Sequence, residues 1–213
     1  MWNTFIALGD SIVEGVGDIY PGYENKGWVD LVAKELIKLS PDMKYYNFGV
    51  GGSTIEEVIN TQVKKALNKN PDLITLTIGG NDARNPRWTP SIFSQRYSDL
   101  INSLILPDLT LVTMTYPNTN ISKENLIEKY DDTPRTKGWL LYFRRMKKIN
   151  QIIRRISIDN DIFCMEFEDF EPARDPQNLS QDMVHPNSRG YWYAANYIIE
   201  LFKTHFGLAD LTW

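Results

Sequence analysis

The stretch TFIALGDS, Thr4–Ser11, leads from a run of apolar residues into Gly-Asp-Ser near the start of the chain. A short continuous apolar run that is bounded by a turn signal is typical of a strand buried on both faces of a parallel sheet. The tripeptide therefore places Ser11 where a buried strand ends. A serine in that position can serve as a nucleophile.

Similar short runs recur along the chain and alternate with helical patterns. Strands are predicted near Thr4–Leu8, Lys44–Phe48, Leu73–Ile78, Thr110–Met114 and Asp161–Glu166. Apolar residues at helical spacing predict helices over Trp28–Leu39, Ile55–Leu67, Ser91–Leu106, Leu140–Ile158 and Ser188–Phe206. This alternation predicts an α/β protein with a parallel sheet and helices on both faces.

Length and composition fit one soluble domain over residues 1–213, because 42% hydrophobic residues suffice for a sizeable core. The net charge of -4 gives no general electrostatic reason to bind nucleic acid or an anionic membrane. The single Cys164 excludes an internal disulfide, and its apolar surroundings favour a buried thiol. We find no targeting signal and no membrane-spanning stretch, and we expect a cytoplasmic protein. The oligomeric state stays open.

Three glycine-containing segments each follow a predicted strand: Gly9–Ser11, Asn47–Gly52 and Gly79–Asp82. Since the carboxyl ends of parallel strands meet at one edge of the sheet, these segments are expected to gather there. A fourth segment, Asp182–Pro186, reads DMVHP and precedes the last predicted helix. It supplies a carboxylate and an imidazole.

These residue types match the needs of a serine nucleophile. A serine hydroxyl reacts poorly at neutral pH unless a base takes its proton, and the imidazole of His185 suits that task. Asp182 can reach the other ring nitrogen of His185 if the segment turns locally, and would then hold the imidazole in one tautomer. Asp10 is expected to bond nearby loop amides and Asp82 to cap a helix start.

The four segments occur in the order found in the SGNH hydrolases, also called GDSL esterases and lipases, and the chain resembles that family from Phe5 to Tyr191. The resemblance implies a flavodoxin-like three-layer sandwich. It also implies the order of the five parallel strands, 2-1-3-4-5. The alternation of strands and helices by itself does not give that order.

The resemblance also implies roles for individual residues. Ser11 would be the nucleophile, His185 the base and Asp182 the orienting acid, with no cofactor and no metal. An oxyanion hole would form from the backbone N–H groups of Ser11 and Gly52 and the side-chain amide of Asn81. Such a site would act on a small-molecule ester, for example one with a short acyl chain or an acetylated sugar.

Substrate choice is expected to depend on the walls of the site. Candidates for those walls are Ile12, Tyr20, Tyr23, Arg84, Trp88, Tyr116 and Trp139. Two long connections, Asp18–Lys26 and Thr115–Gly138, follow predicted strands and are either further walls or surface insertions. His205, near the end of the last helix, is assigned no catalytic role.

Four alternatives stay open from the residues alone. Asn47–Thr54 superficially looks like a phosphate cradle of a flavin- or nucleotide-binding module, although it lacks the lysine of a P-loop. A non-catalytic carbohydrate- or lipid-binding relative would not need the retained nucleophile and base. An acyltransferase or thioesterase would use the same acyl-enzyme. A metal-dependent phosphoesterase would have only two histidines to draw on.

Overall fold

The computed structural model describes residues 1–118, 131 and 133–208. Its centre is a parallel sheet in the order β2-β1-β3-β4-β5. The strands are β1 (Thr4–Gly9), β2 (Lys44–Asn47), β3 (Leu73–Thr77), β4 (Thr110–Met114) and β5 (Phe163–Met165). The predicted fold class and the strand order implied by the resemblance are both confirmed.

Strand β1 shows why the sheet is covered on both faces. All of its residues are buried, and successive side chains alternate between the two faces. Ile6 and Leu8 belong to one apolar cluster, whereas Phe5 and Ala7 belong to the other. The central strand is therefore apolar on both sides, as a parallel sheet between two helical layers requires.

The helices are α1 (Ser11–Glu14), α2 (Trp28–Leu39), α3 (Ile55–Glu57), α4 (Lys64–Leu67), α5 (Pro90–Leu104), α6 (Pro134–Asp159) and α7 (Ser188–Phe206). Helices α2 and α7 pack in the cluster that contains Phe5. Helices α3 to α6 contribute to the cluster that contains Ile6. Among the described residues, no helix is both long enough and apolar enough to cross a membrane.

Three differences between the predicted and observed elements stand out. Helix α6 begins at Pro134 rather than Leu140, with proline in its first turn, so the end of the expected Thr115–Gly138 loop is helical. The part of that loop over residues 119–130 and 132 lies outside the described residues. Strand β5 begins only at Phe163, because Asp161 adopts a left-handed φ of 54° after α6.

The third difference lies in the helix predicted over Ile55–Leu67. It is interrupted by a π-helical segment, Val58–Val63, between α3 and α4. The wider turn carries Gln62 into the protein interior, where it is only 2% exposed. Single π turns inside helices occur frequently at functional sites.

Candidate active site

Ser11 is the first residue of α1, directly beyond the carboxyl end of β1. The chain makes this turn at Gly9, whose φ is +155° and where a Cβ would lie 2.1 Å from the carbonyl oxygen of Thr77. Asp10 caps the short helix, since its Oδ1 accepts a hydrogen bond from the N–H of Ile12 at 3.0 Å. Ser11 is thereby held at the edge of the sheet, half-buried.

A tight turn holds Asp182 and His185 together. Oδ1 of Asp182 accepts hydrogen bonds from the N–H groups of Val184 at 2.8 Å and His185 at 3.0 Å. Its other oxygen, Oδ2, lies 2.5 Å from Nδ1 of the His185 ring. Met183 adopts a φ of 61°, a left-handed conformation uncommon for a residue with a side chain, which closes the turn.

The turn places the His185 ring against Ser11. Nε2 of His185 lies 2.8 Å from Oγ of Ser11, so the three side chains form one hydrogen-bonded chain. Partial burial acts to raise the pKa of Asp182, but hydrogen bonds from His185 and the adjacent backbone outweigh it and leave that pKa below its ordinary value. Asp182 is therefore a carboxylate at neutral pH.

The connection Asp18–Lys26 supports this turn from outside. The N–H of Asp18 donates to Oγ of Ser180, and its carboxylate accepts from the N–H of Gln181 at 2.8 Å. Tyr20 donates its N–H to Oγ of Ser188 and packs edge-on against Tyr23. Both tyrosines therefore lie beside the start of α7.

The segment after β2 packs against α1. The side-chain amide of Asn47 donates to the carbonyl oxygen of Val13 at 2.8 Å. Only glycine fits at Gly49, where a Cβ would lie 2.4 Å from the backbone nitrogen of Glu14. Glu14 in turn accepts the N–H of Gly51 at 2.6 Å. These contacts hold the glycine-rich segment close to Ser11.

Three donors expected to face an oxyanion are found on this edge. Nδ2 of Asn81 donates one hydrogen bond to the carbonyl oxygen of Ser53 at 2.9 Å, which leaves its second N–H available. Within the described residues, the backbone N–H groups of Ser11 and Gly52 have no protein acceptor. Gly52 is exposed and has a φ of +83°.

Two buried carboxylates lie beneath the site. Burial raises the pKa of Asp10 to about 6, although its hydrogen bond from Ile12 and the proximity of His185 act in the opposite direction. Asp82 accepts the N–H of Ile55 at 3.1 Å and so caps α3, and burial raises its pKa as well. His205 stacks on Phe163 far along α7, with ring centroids 3.8 Å apart.

A cavity of about 110 Å³ is lined by Ile12, the residue that follows Ser11. The turn that carries His185 contributes Met183 and Val184 to one wall. The remaining lining is largely aromatic and apolar, and includes Tyr116, Tyr142, Phe143, Met146, Phe167 and Phe170. Of the sequence-predicted wall residues, Ile12 and Tyr116 line this cavity.

Two other predicted wall residues, Arg84 and Trp139, lie on the opposite side of Tyr142. The Arg84 guanidinium stacks over Trp139 at 5.2 Å and over Tyr142 at 5.4 Å, and all three line a separate surface depression. Trp88 packs against the core under the guanidinium of Arg145 and lines neither space.

Two amides that position the site escaped the sequence analysis. Gln62 clamps the backbone of Gly9, accepting its N–H at 2.9 Å and donating to its carbonyl oxygen at 2.8 Å. Asn150 makes the same pair of hydrogen bonds, both at 2.8 Å, to the backbone of Tyr116. Nothing in the sequence near either amide indicates these partners, because both pairs join distant segments.

A family model matches the sequence of the chain, and solved structures match its fold. Residues 7–193 match the GDSL-like Lipase/Acylhydrolase family. No curated protein matches the sequence.

Solved structures match over nearly the full length. A lipase/acylhydrolase from Enterococcus faecalis is 19% identical with a TM-score of 0.68, covering 95% of this chain and 96% of that one. A psychrotrophic esterase from Pseudoalteromonas sp., inhibited by monoethylphosphonate, is 17% identical with a TM-score of 0.69, and the match covers 96% of this chain and 99% of that one. An acetylxylan esterase from Geobacillus stearothermophilus is 19% identical with a TM-score of 0.65, covering 93% of each chain. At these identities the likeness is one of fold.

Proposed function

We propose that this chain, which belongs to the GDSL-like Lipase/Acylhydrolase family, hydrolyses carboxylic esters through an acyl intermediate on Ser11. One observation carries the proposal. The hydroxyl of Ser11, both nitrogens of the His185 ring and the carboxylate of Asp182 form a continuous hydrogen-bonded chain at the carboxyl edge of the sheet. Nucleophile, base and orienting acid are recognised by such geometry rather than by sequence position.

Acylation would begin with attack of Oγ of Ser11 on the ester carbonyl carbon. The proton of the hydroxyl passes to Nε2 of His185, which lies 2.8 Å away. The ionised Asp182 then stabilises the charged imidazole through Nδ1. As the tetrahedral species collapses, the bond between the carbonyl carbon and the alcohol oxygen breaks. The alcohol leaves with the proton held on Nε2.

Deacylation repeats these steps with water. Nε2 of His185 takes a proton from water, and the oxygen of that water bonds to the acyl carbon. The bond to Oγ of Ser11 then breaks, and Oγ recovers the proton from Nε2. The net reaction consumes one ester and one water and yields one acid and one alcohol. The enzyme is left unchanged.

The developing negative charge on the carbonyl oxygen needs donors that are already in place. The N–H groups of Ser11 and Gly52 and the free amide N–H of Asn81 are proposed to supply them. Because its other N–H is tied to Ser53, the Asn81 amide keeps its orientation during the reaction. One such donor is typically worth about 2.7–4 kcal/mol of transition-state stabilisation.

The substrate is proposed to be a small ester with its acyl group in the cavity beside Ile12. An aromatic and apolar lining suits an acyl chain or ring. The Arg84–Trp139 stack on the far side of Tyr142 is proposed to contact the leaving group. The neighbours named as an acetylxylan esterase and a lipase/acylhydrolase support the choice of acetylated sugars and short acyl esters as first substrates.

A panel of p-nitrophenyl esters of increasing acyl length, beside acetylated xylo-oligosaccharides, tests the activity. The Ser11→Ala variant should lose about 10⁴–10⁶-fold in turnover, since removal of a triad nucleophile typically has that effect. Ser103→Ala is the matched control, because this serine bonds the carbonyl oxygen of Leu100 at the end of α5. If purified, folded Ser11→Ala retains more than about a tenth of the activity, the proposed mechanism is wrong.

A further inference from the structure

The donor expected from Gly52 lies in a turn with few contacts of its own. The carbonyl oxygen of Val50 accepts the N–H of Ser53 at 3.1 Å, which closes the turn. Gly51 and Gly52 are its two central residues, and both are exposed. Gly52 has a φ of +83°, and a Cβ built on it would meet nothing within 4 Å. Because glycine has the widest choice of backbone conformations, two in succession leave this turn free to move unless other groups hold it.

Two side chains hold the turn from opposite ends. After Gly52, the carbonyl oxygen of Ser53 accepts a hydrogen bond from Nδ2 of Asn81 at 2.9 Å. Before Gly52, Oε2 of Glu14 accepts the N–H of Gly51 at 2.6 Å. A hydrogen bond to an ionised carboxylate is roughly twice as strong as one between neutral groups. The peptide that carries the Gly52 N–H therefore lies between two anchored residues.

Glu14 belongs to the same helical turn as the nucleophile. It lies three residues after Ser11 in α1. The helix ends at Gly15, where a Cβ would lie 2.8 Å from Cα of Gly27, so the end of α1 is tightly packed. A Cβ on Gly51 would lie 3.0 Å from Oε2 of Glu14 and 3.8 Å from Cβ of Ser11. The carboxylate thus joins the glycine turn to the helix that carries the nucleophile, at a point where the two are in close contact.

We infer that Glu14 is a positioning residue for the oxyanion hole, holding the Gly52 N–H at a fixed place relative to Oγ of Ser11. The inference rests on the proposed function, which takes that N–H to be one of the oxyanion donors. Asn81 is proposed to meet the oxyanion directly, whereas Glu14 acts only through the backbone. What matters is an acceptor for Gly51 rather than a negative charge, because a negative charge beside a developing oxyanion would repel it.

Steady-state kinetics with p-nitrophenyl acetate compare two substitutions of this residue. Glu14→Ala removes the acceptor and should lower kcat about tenfold with KM nearly unchanged, because the displaced donor matters only once the carbonyl oxygen becomes negative. This loss should be smaller than the one of about 10²–10³-fold expected when an oxyanion donor is removed outright. Glu14→Gln keeps an oxygen acceptor and should restore kcat to within about twofold of the wild type.

Glu56→Ala is the matched control. Glu56 is an exposed glutamate of α3, shortly after the same turn, and its carboxylate pairs with the side chain of Arg96 at 3.7 Å. The control removes one negative charge without altering the contacts of the turn, and it should leave kcat unchanged. Because Glu14 is exposed as well, all three variants should keep a Tm within about 3 °C of the wild type.

Nuclear magnetic resonance of isotope-labelled protein reports on the turn without turnover. The amide proton of Gly51 gives a downfield signal while it is bonded to a carboxylate. Glu14→Ala should move this signal upfield and speed the exchange of the proton with solvent. Glu14→Gln should keep most of the protection, because the amide oxygen still accepts the bond.

The outcomes separate this inference from the proposed function. A kcat of Glu14→Ala within about twofold of the wild type would overturn the inference, as would equal losses in Glu14→Ala and Glu14→Gln. A change confined to KM, or an unmoved Gly51 signal, would overturn it as well. If the folded wild type hydrolyses no ester, the proposed function fails and the inference falls with it. If the wild type hydrolyses esters and Glu14→Ala does so equally well, the inference alone fails.

Discussion

Substitution of Asp10 by asparagine should stabilise the protein, and more so at pH 8 than at pH 4. Burial raises the pKa of Asp10 from 3.8 to about 6 in the folded protein. An acid whose pKa is raised by folding is protonated more strongly in the folded state. Stability therefore falls as the pH rises from about 4 to about 6, and stays lower above that range. Each unit of difference between the folded and unfolded pKa corresponds to about 1.36 kcal/mol, so ionised Asp10 lowers the free energy of unfolding at neutral pH by about 3 kcal/mol.

Asparagine keeps an acceptor for the N–H of Ile12 and cannot ionise. The gain in unfolding free energy from Asp10→Asn should therefore be about 2 kcal/mol larger at pH 8 than at pH 4. Urea titrations of both proteins at the two pH values measure this difference, with Asp42→Asn, an exposed aspartate, as the control. A gain that is the same at both pH values would refute the reasoning, because it would show that burial does not raise the pKa of the Asp10 carboxyl in the folded protein.

Three further predictions concern activity. Gln62→Leu leaves the buried N–H of Gly9 unpaired, at about 1–3 kcal/mol, and leaves its carbonyl oxygen with only the hydrogen bond from Val50. It should lower both Tm and kcat, and an unchanged kcat would show that Gln62 does not position the site. Asn81→Ala should lower kcat about 10²–10³-fold with KM nearly constant. A change mainly in KM would show that the amide binds the substrate in its ground state rather than the transition state. Asp182→Asn should lower the kcat/KM of the enzyme, because it removes the carboxylate that holds Nδ1 of His185; an unchanged kcat/KM would argue against an orienting acid.

The parts of the fold that could be predicted depend on local pattern. Strand β1 is a continuous apolar run because it is buried on both faces, and the helix Trp28–Leu39 was predicted with its observed boundaries. The spacing of Asp182 and His185 indicated that a local turn could join their side chains, and the structure brings them to 2.5 Å. Ser11 follows β1 and so lies at the carboxyl edge of the sheet, where it meets His185. Short-range sequence information suffices for the strand, the helix and the Asp182–His185 turn, whereas Ser11 meets that turn from 174 positions away in the chain.

Other features depend on contacts between distant segments and gave no local signal. The π turn at Val58–Val63 matters because it delivers Gln62 to Gly9, 53 positions earlier in the chain. The cavity forms only where α2, α6, α7 and two loops meet. Aromatic residues near the motifs gave candidates for the walls of the site, but the packing places Tyr116 in the cavity, Trp139 in the surface depression and Trp88 in neither.

Covalent labelling tests the central claim most directly. A p-nitrophenyl alkylphosphonate reacts with a serine only where a base removes its proton and donors receive the phosphoryl oxygen, so it reports on the whole site at once. Intact and peptide mass spectrometry of the wild-type protein should find one added alkylphosphonyl group, on Ser11, with one p-nitrophenolate released and no label in His185→Ala. Labelling at another serine, or no labelling of a folded protein that hydrolyses esters, would contradict the account.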